Sequence, residues 1–397
     1  MRILNVTQSY APFFEFGGPP AKVKALAEGM ARRGHEVTVL TADWGLQERL
    51  RELPNEPSAE ASPFGQRRKV NGVTAIYLAN WGHYRALSWN PALGRYLRAR
   101  LKEFEVAHIF GLYDLLGPRV AKECRKLKIP YVVEPIGMFV PIVRNIWMKR
   151  AYHRLYGEEM LAGADAIMVT AERERKDILT GGYAEEKVLL RRNGVEVPMA
   201  MPERGSFRRA LRIPAETKLI LFLGRLSGKK SPDLLLRAFA TLGDATARLA
   251  YVGPDESGMK GRLQQMARDL NVEERVHFSP PLQGDAKWAA YRDADIFVLP
   301  SQNENFGNTA GEAVAAGTPV IVSEQCGIAP LLAGTAGVVV RHDEKELGDA
   351  LKSVLGNEEL RARLQKGCAA AVASLGWEQP LEEMEDIYSG LARQAGS

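Results

Sequence analysis

The chain has 397 residues, of which 46% are hydrophobic, so it can bury two ordinary cores and we expect two domains. No apolar run is long enough to span a bilayer, and the first residues lead into polar ones, so the sequence predicts a soluble cytoplasmic protein without a signal peptide. Three widely spaced cysteines without CxxC or CxH patterns, Cys124, Cys326 and Cys368, argue against a disulfide framework or a zinc site.

The net charge of +5 is unevenly distributed along the chain. Residues 1–200 hold 30 Lys and Arg against 22 Asp and Glu, and the remainder holds 23 against 26. A basic half favours nucleic acid, an anionic membrane surface or a phosphorylated substrate. No zinc finger, helix-turn-helix or RNP-like motif accompanies it, so we expect no nucleic-acid partner and favour contact with membrane or lipid phosphate.

The first elements form a Rossmann-like βαβ unit. Arg2–Val6 reads as a strand, the loop 8–18 ends in Gly17-Gly18 before an amphipathic helix, and His35–Thr41 reads as the next strand. The pattern lacks GxGxxG, which disfavours a nicotinamide dehydrogenase. From these residues alone, the glycine pair fits a ligand-binding turn and a merely flexible turn equally well.

The next part of the chain alternates between strands and irregular segments. Residues 48–69 are polar and interrupted by proline, which predicts a long surface excursion before the strand Val73–Leu78. An aromatic group then follows on a predicted loop: Trp81, His83, Tyr84 and Trp89. Such aromatics can stack on sugar rings, but capping a core is the interpretation we favour here.

A basic and apolar segment, Pro141–Met160, reads as a helix. Its apolar residues include Trp147 and Leu155, and its cations include Arg150 and Arg154. The helix could lie on a membrane surface. The favoured alternative is that the apolar stripe packs into the domain while the cations are solvated.

The second half opens after a Pro- and Gly-containing linker at 198–205. The strand Leu219–Gly224 is followed by Arg225, Lys230 and Ser231, with a glycine spacing that does not fit a Walker loop. Asp293-Ala294-Asp295 matches the D-x-D of metal-dependent transferases. We interpret it instead as a helix-to-strand junction, because it runs directly into the strand Ile296–Leu299.

The segment 294–324 reads as strand, loop, helix and strand. The first N–H groups of the predicted helix, from Gly307 to Ala310, lack intrahelical partners and attract anions. Glu304 belongs to the loop and Glu312 to the first turn of the helix. Carboxylates accept hydrogen bonds from sugar hydroxyls, so the unit fits a nucleotide sugar. On spacing alone, acids that merely favour the helix dipole are an equally good interpretation.

Glu304 to Glu312, with Phe306-Gly307 between them and Gly317-Thr318-Pro319 after them, resembles the E-x7-E signature of glycosyltransferase family 4. The resemblance extends over nearly the whole chain. It implies the GT-B fold, in which two Rossmann-like doubly wound α/β domains face each other across a cleft. It also implies transfer of a sugar with retention of its anomeric configuration.

The resemblance implies a role for each matching residue. Arg225 and Lys230, in the family's G-R-x4-K element, would bind the diphosphate and neutralise the leaving group, and Glu304 would bind the transferred sugar. The remaining donor contacts would be Gly17, Gly18, Gly253, Phe306, Gly307, Asn308, Thr309 and Glu312, the last on the ribose. Cations and a helix start can carry the leaving-group charge, so the resemblance implies no metal and no cofactor.

One position departs from the family pattern. Many members carry a histidine where this chain has Ile136, within Glu134-Pro135-Ile136-Gly137. An apolar side chain cannot exchange a proton, so we expect Ile136 to line the acceptor or sugar pocket. Glu134 is the nearest ionisable replacement, with a purely structural strand-end carboxylate as the alternative.

Together these patterns predict an acceptor domain at 1–198, completed by a C-terminal helix at 377–393, and a donor domain at 206–376. The expected activity is metal-independent hexosyl transfer from a nucleotide sugar, with UDP slightly favoured over GDP, to a glycan or lipid-linked acceptor in cell-surface glycoconjugate synthesis. The basic first domain would contact anionic membrane. A sugar-nucleotide epimerase of the same fold and a non-catalytic nucleotide-sugar-binding protein are the alternatives.

Overall fold

The computed structural model describes residues 1–53, 55–84, 87–141 and 145–396. The chain divides into two compact units: Met1–Asn193 together with the chain from Trp377 onward, and Gly194–Gly376. The predicted linker at 198–205 therefore belongs wholly to the second unit. Val195 is buried in the core of that unit, and its N–H donates to the carbonyl of Leu375 at 2.6 Å.

The first unit is built on a nine-stranded sheet and a separate two-stranded hairpin. Its strands are β1 (Arg2–Thr7), β2 (Glu36–Ala42), β3 (Glu60–Ser62), β4 (Gly65–Val70), β5 (Val73–Leu78), β6 (His83–Tyr84), β7 (Leu87–Ser88), β8 (Val106–Phe110), β9 (Tyr131–Glu134), β10 (Ala166–Val169) and β11 (Val188–Leu190). Its helices up to this point are α1 (Gly18–Arg32), α2 (Leu46–Arg51), α3 (Leu93–Arg100), α4 (Leu116–Leu127), α5 (Ile146–Tyr152), α6 (Glu158–Ala162) and α7 (Glu172–Thr180).

The large sheet has the order β11-β10-β9-β8-β1-β2-β5-β4-β3. All neighbours from β11 to β5 are parallel, and β4 and β3 extend the edge antiparallel. Both faces of the parallel part are buried, which explains its continuous apolar runs. The strand order reverses between β1 and β8, and in such sheets ligands bind at the carboxyl ends of strands beside this reversal.

The second unit contains a six-stranded parallel sheet. Its strands are β12 (Leu219–Leu223), β13 (Arg248–Val252), β14 (Val276–Ser279), β15 (Ile296–Leu299), β16 (Val320–Ser323) and β17 (Gly337–Val340). Its helices are α8 (Ser206–Ala210), α9 (Pro232–Ala240), α10 (Met259–Asp269), α11 (Gly284–Asp293), α12 (Asn308–Ala315), α13 (Ala329–Leu332), α14 (Glu344–Gly356) and α15 (Glu358–Leu375).

The order of this sheet is β14-β13-β12-β15-β16-β17, the doubly wound arrangement in which the direction of strand addition reverses between β12 and β15. Apolar clusters cover both faces, and β12 and β15 are fully buried. The loops that leave the carboxyl ends of β12 and β15 therefore meet at one place. The first carries Arg225 and Lys230, and the second carries Glu304.

The last helix, α16 (Glu378–Gly396), returns to the first unit. Leu381, Met384 and Tyr388 lie at its buried face and belong to the same core cluster as Ile3 and Val23. The helix packs against α1, where the absence of a side chain at Gly29 leaves room for Leu381. The predicted C-terminal helix is thus present at this place in the fold.

Three local predictions were wrong. Residues 48–69 are not an irregular excursion. They contain most of α2, all of β3 and nearly all of β4, and the two strands lengthen the sheet. Trp81 and Trp89 do not cap a core, since their side chains are 79% and 63% exposed on the β6–β7 hairpin. Trp147, in α5, is 74% exposed and does not pack into the domain; Ile142, Val143 and Arg144 of the predicted helix lie outside the described residues.

Within the described ranges, no helix is both long enough and apolar enough to cross a bilayer. All three cysteines are buried, and burial raises the pKa of each thiol to about 12. Thiols with such pKa values are inert at neutral pH.

Candidate functional site

An ion pair joins the two loops at the reversal point of the second sheet. Lys230, in the loop after β12, places its Nζ 2.9 Å from Oε2 of Glu304, in the loop after β15. Both side chains are largely buried but remain partly accessible, at 16% and 20%. The Gln302 N–H also donates to the carbonyl of Lys229 at 2.9 Å, which fixes the two loops to each other.

The backbone holds Glu304 in position on both sides. Its N–H donates to the carbonyl of Gln325 at 3.1 Å, and its carbonyl accepts from the N–H of Gly327 at 3.1 Å. Burial disfavours the carboxylate, but the cations of Lys230, Lys229 and Arg225 outweigh that effect, so the pKa of Glu304 lies below its ordinary value. Glu304 is therefore an anion at neutral pH within an excess of positive charge.

Two glycines make room for this cluster at the ends of β12 and β13. The side chain of Lys230 passes over Gly224, where a Cβ would lie 3.4 Å from its Nζ. Gly253 has φ 142°, and a Cβ there would lie 2.1 Å from the carbonyl oxygen of Gly224. The close approach of the two strand ends therefore requires glycine at 253 whether or not this residue also contacts a ligand.

The start of α12 provides hydrogen-bond donors beside the cations. Gly307 precedes the helix with φ 104°, a left-handed conformation that suits glycine. The hydroxyls of Ser301 and Thr309 are buried and have no hydrogen-bond partner among the described residues. A buried hydroxyl without a partner costs about 1–3 kcal/mol. The first N–H groups of the helix, which lack intrahelical partners, fit a bound anion.

Glu312 lies one turn into α12 and is held by two residues of α11. Lys287 Nζ lies 2.9 Å from Glu312 Oε1, and the Tyr291 hydroxyl donates to Glu312 Oε2 at 2.8 Å. Burial, and then the charge of Glu312, raise the pKa of Tyr291 well above its ordinary value, so the phenol remains a donor. The sequence analysis missed Lys287 and Tyr291. Their four-residue spacing, which places them on one face of α11, is the only feature of the sequence that connects them.

Asp293 and Asp295 bind protein groups. Asp293 accepts from the N–H groups of Phe207 and Arg208 at the start of α8, at 2.8 and 3.0 Å. Asp295 pairs with the Arg208 guanidinium at 2.8 Å and accepts from the Leu219 N–H. The two carboxylates thus fix the junction between α11, α8 and the second sheet, as the sequence predicted. The described part of the chain contains no group of three His, Cys, Asp or Glu side chains arranged to hold a metal ion.

Comparison with protein families assigns both halves of the chain. Residues 203–369 match the family described as glycosyl transferases group 1, and residues 17–194 match the glycosyl transferase 4-like domain. The D-inositol 3-phosphate glycosyltransferase of Nocardiopsis dassonvillei is 30% identical over 94% of this chain and 89% of its own length. The enzyme of the same name from Thermomonospora curvata is 29% identical over 94% and 90%.

The chain belongs to glycosyltransferase family 4. It is a glycosyltransferase that acts on a nucleotide sugar and an acceptor, and these matches do not favour the epimerase or the non-catalytic binding protein.

Solved structures of low sequence identity confirm the GT-B fold with its two Rossmann-like domains. A sucrose-phosphate synthase from Thermosynechococcus elongatus superposes with a TM-score of 0.75 at 20% identity, and the alignment covers both chains completely. The Anabaena protein HepE, in complex with UDP and glucose, superposes with a TM-score of 0.76 at 16% identity over 98% of this chain and all of its own.

Not every predicted donor residue of this family 4 protein can present its side chain to a ligand. Phe306 is 2% exposed and packs in the core of the second unit, and its carbonyl accepts from the Ile328 N–H at 2.7 Å. The burial of this side chain argues against the predicted donor contact at Phe306. Phe306 instead anchors the loop that positions Glu304 and Gly307.

In the first unit, Gly17 and Gly18 form the start of α1. Gly17 has φ 100°, and its N–H donates to the carbonyl of Phe14 at 3.0 Å; Gly18 is the first residue of the helix. The following Pro19 and Pro20 fit the first helical turn, where no N–H is required. The pair lies after β1, beside the order reversal of the first sheet.

Glu134 is not available for proton exchange with a ligand. It is fully buried, its Oε1 accepts from Lys22, and its Oε2 lies 3.0 Å from Arg191 and 3.5 Å from His108. Burial opposes its ionisation, but Lys22 and Arg191 outweigh that effect and hold its pKa far below the ordinary value. The geometry therefore favours the structural alternative, a strand-end carboxylate.

The partners of Glu134 were missed in the sequence. Lys22 is buried on the same side of α1 as Val23 and Leu26. A lysine within the apolar pattern of this helix was the sequence feature that could have indicated a buried ion pair. Burial lowers the pKa of Lys22 to about 8. His108, with a pKa lowered to about 4 by burial, bonds the hydroxyl of Tyr388 in α16 at 2.6 Å. The cluster thus connects α1, β8, β9 and α16.

Ile136 lies just after β9, at the carboxyl edge of the first sheet. It is partly exposed and has φ 54°, which is strained for a β-branched residue. Glu174 accepts a hydrogen bond from the N–H of the next residue, Gly137, and so holds the turn in place. Strain that the surrounding structure maintains is common at functional sites, which supports a pocket role for Ile136.

We predict that Glu134→Gln lowers the unfolding free energy by about 3–5 kcal/mol at pH 7, because Lys22 and Arg191 would remain buried without an anion. The folded-state pKa of Glu134 is depressed, so its stabilising contribution is complete above about pH 4.3, the pKa of an unfolded glutamate, and is lost as the pH falls further. Urea unfolding at pH 7 and at pH 3.5 measures both effects. Glu159→Gln, at a 70% exposed carboxylate, is the control. Equal stability of the variant and wild type at pH 7 would contradict the assignment.

Proposed function

We propose that the protein is a retaining hexosyltransferase that moves a sugar from a nucleoside diphosphate to a glycan or lipid-linked acceptor in cell-surface glycoconjugate synthesis. A UDP-sugar is slightly favoured over a GDP-sugar as donor, in keeping with the UDP and glucose bound by the Anabaena protein HepE. The observation that carries the proposal is the Lys230–Glu304 pair beside the start of α12, within the E-x7-E motif.

In this proposal each group acts on a stated part of the donor. Arg225, Lys230 and the first N–H groups of α12 bind the diphosphate and stabilise the charge that develops as the glycosidic bond to phosphate breaks. Glu312, oriented by Lys287 and Tyr291, accepts hydrogen bonds from the ribose hydroxyls. Glu304 accepts hydrogen bonds from the transferred sugar. Gly17, Gly18, Gly253, Asn308 and Thr309 are proposed as further donor contacts.

No metal ion or other cofactor is required in the proposed mechanism. A divalent cation in other transferases neutralises the leaving diphosphate, and here Arg225, Lys229 and Lys230 supply three positive charges at one strand end. Asp293 and Asp295, the residues that most resemble a metal motif, already bind backbone and Arg208 groups. The sugar is transferred on the face from which the diphosphate departs, so the anomeric configuration is retained.

A side-chain base at position 136 is not required either. The departing phosphate oxygen takes the proton of the acceptor hydroxyl when attack occurs on the same face as departure. Ile136 then acts through its shape, as an apolar wall of the sugar or acceptor pocket. Glu134 supports that wall indirectly, because it fixes the end of β9, two residues before Ile136.

We further propose that the first unit contacts an anionic membrane through α5 and the residues up to Tyr156. Trp147 and Leu155 are 74% and 66% exposed, and Arg150 and Arg154 are exposed between them at helical spacing. An outward face of aromatic, aliphatic and cationic side chains suits the boundary between lipid headgroups and acyl chains. This contact would bring the enzyme to a lipid-linked acceptor.

We predict that Glu304→Gln and Lys230→Ala each lower the transfer rate roughly a hundredfold or more, because each removes a group that stabilises the transition state. Release of UDP from a panel of UDP-hexoses measures the rate, and circular dichroism confirms folding. Lys366→Ala and Glu324→Gln, at exposed positions of the same unit, are the controls. Turnover near that of the wild type in either test variant would remove the residue from the mechanism.

Activity should survive chelation, because protein cations and backbone N–H groups stabilise the leaving diphosphate. We expect the same rate of UDP release before and after dialysis against EDTA, with no gain on adding Mg²⁺ or Mn²⁺. Complete loss that either ion restores would contradict the proposal.

Ile136→Ala should change the preference between substrates by about 1–3 kcal/mol, the usual worth of a methylene-scale change in a pocket. The best substrate should keep most of its turnover, because no proton passes through this residue. The measurement is kcat/KM for UDP-glucose, UDP-galactose and UDP-N-acetylglucosamine, with the exposed Val140→Ala as control. If all values match those of the wild type, Ile136 lies outside the pocket.

For the membrane contact, we predict that Trp147→Ala/Leu155→Ala lowers binding to vesicles of mixed phosphatidylcholine and phosphatidylglycerol by at least about tenfold. Binding of the wild type should weaken with added salt, because screening reduces the attraction of Arg150 and Arg154. Flotation of the protein with vesicles measures binding, and the exposed Leu270→Ala in the second unit is the control. Equal binding of the variant and wild type would contradict the contact.

A further inference from the structure

The β6–β7 hairpin of the first unit presents two indole rings to solvent. It follows β5 and contains Trp81 and Trp89, whose side chains are 79% and 63% exposed. Neither ring packs against another aromatic ring among the described residues. Exposed indoles that are held in place by the backbone mark an interaction surface, because water solvates their apolar faces poorly.

Hydrogen bonds anchor the base of this hairpin to the sheet. The Trp81 N–H donates to the carbonyl of Trp89 at 3.0 Å, and the Trp89 N–H donates to the carbonyl of Gly82 at 2.9 Å. The side-chain amide of Asn90 donates to the carbonyls of Leu78, the last residue of β5, and of Ala79, at 3.1 and 3.2 Å. The backbone that carries the indoles therefore needs little ordering when a ligand binds, which limits the entropic cost.

Ring contacts connect the hairpin to the glycine turn at the start of α1. His83 of the hairpin lies 5.1 Å from Trp44 between ring centroids, and Trp44 lies 5.0 Å from Phe16. Phe16 immediately precedes Gly17. The Trp44 Nε1 donates to the carbonyl of Gln8 at 2.9 Å, so this middle ring is fixed. We refer to Phe16, Trp44, His83, Trp81 and Trp89 as the aromatic track.

The track runs along one edge of the sheet. Its residues come from the loops after β1, β2 and β5, which are parallel neighbours, so the three loops leave at the same carboxyl edge. The ring contacts thus begin beside Gly17, which the proposed function places at the donor, and end at His83 on the hairpin that carries Trp81 and Trp89. A ligand longer than one sugar ring, bound with its reacting end near Gly17, would follow the track.

We propose that the aromatic track binds the saccharide chain of the acceptor, behind the sugar that receives the new residue. This inference rests on the proposed function and deepens it, since it identifies the acceptor as an oligosaccharide or polysaccharide rather than a single small polyol. A pyranose ring has an apolar face of C–H groups that packs on an indole, while its hydroxyls remain at the edge and in water. The exposed Trp81 and Trp89 offer such faces on the hairpin.

The charge of the hairpin favours a saccharide over a lipid surface. Its described residues, 80–84 and 87–90, contain Asn, Gly, His, Leu and Ser beside the aromatics and no Asp, Glu, Lys or Arg. Arg85, which lies outside the described residues, is the one charged residue in the sequence from 80 to 90. The segment from α5 to Tyr156 differs, because it exposes Arg150 and Arg154 beside Trp147 and Leu155. Cations are what an anionic membrane attracts, whereas a neutral saccharide requires none.

Calorimetric titration of the full chain with saccharides of different length tests the proposal. The probes are maltohexaose, cellohexaose, chitohexaose and mannohexaose, each compared with its monosaccharide. We expect at least one hexasaccharide to bind about tenfold or more tightly than its monosaccharide, which corresponds to ~1.4 kcal/mol. Trp81→Ala/Trp89→Ala should abolish this difference, Trp81→Phe/Trp89→Phe should keep part of it, and Trp147→Ala, at an equally exposed indole, should keep all of it.

Two outcomes would overturn the proposal: no gain with length for any of the four saccharides, or the same gain in Trp81→Ala/Trp89→Ala as in the wild type. If this variant instead binds the saccharides normally but loses binding to phosphatidylglycerol vesicles, the hairpin is a membrane contact and the proposal also fails.

The titration is independent of the donor site. Thermal shift with UDP-glucose should be the same in Trp81→Ala/Trp89→Ala and in the wild type. If no UDP-, GDP- or ADP-sugar stabilises the wild type, the proposed function fails, while the saccharide titration still reports on the track.

Discussion

The reversal of strand order in the second sheet is the constraint on which the candidate site depends. Because β12 and β15 are parallel neighbours whose chains continue to opposite sides, their loops meet at one edge with no strand between them. This places Lys230 against Glu304 and brings both to the start of α12. The cations, the helix start and the carboxylate can act on one diphosphate sugar only because the sheet delivers them to one edge.

The first unit uses its buried charges differently. Glu134 is surrounded by Lys22, Arg191 and His108 without access to solvent, and the attraction between these groups must offset a large desolvation cost. The result is a fixed connection between α1, which carries the glycine turn, and the end of β9, which carries Ile136. Charge in this unit therefore positions backbone, whereas charge at the end of β12 and β15 is available to a ligand.

The two exposed aromatic surfaces of the first unit differ in chemistry although both contain tryptophan. The segment from α5 to Tyr156 combines Trp147 and Leu155 with arginines, which suits a lipid interface. The hairpin combines Trp81 and Trp89 with amide and hydroxyl side chains, is fixed by backbone hydrogen bonds, and joins a line of rings that leads to Gly17. The proposed transfer to a glycan on a lipid carrier would use both.

The sequence by itself determined most of the parallel strands, the order of the donor motifs and the membership of the family, because buried parallel strands have continuous apolar runs and the E-x7-E motif is local. It did not reveal the antiparallel edge strands β3 and β4, which are polar and lie in a segment interrupted by proline. Only the tertiary structure decided which side chains are available. Glu134 and Phe306 lie in motifs but are buried, since long-range packing supplies their partners, and Lys287 and Tyr291 reach Glu312 from another helix. The exposure of Trp81, Trp89 and Trp147 was likewise beyond the sequence, because an aromatic residue has the same local pattern whether it caps a core or faces water.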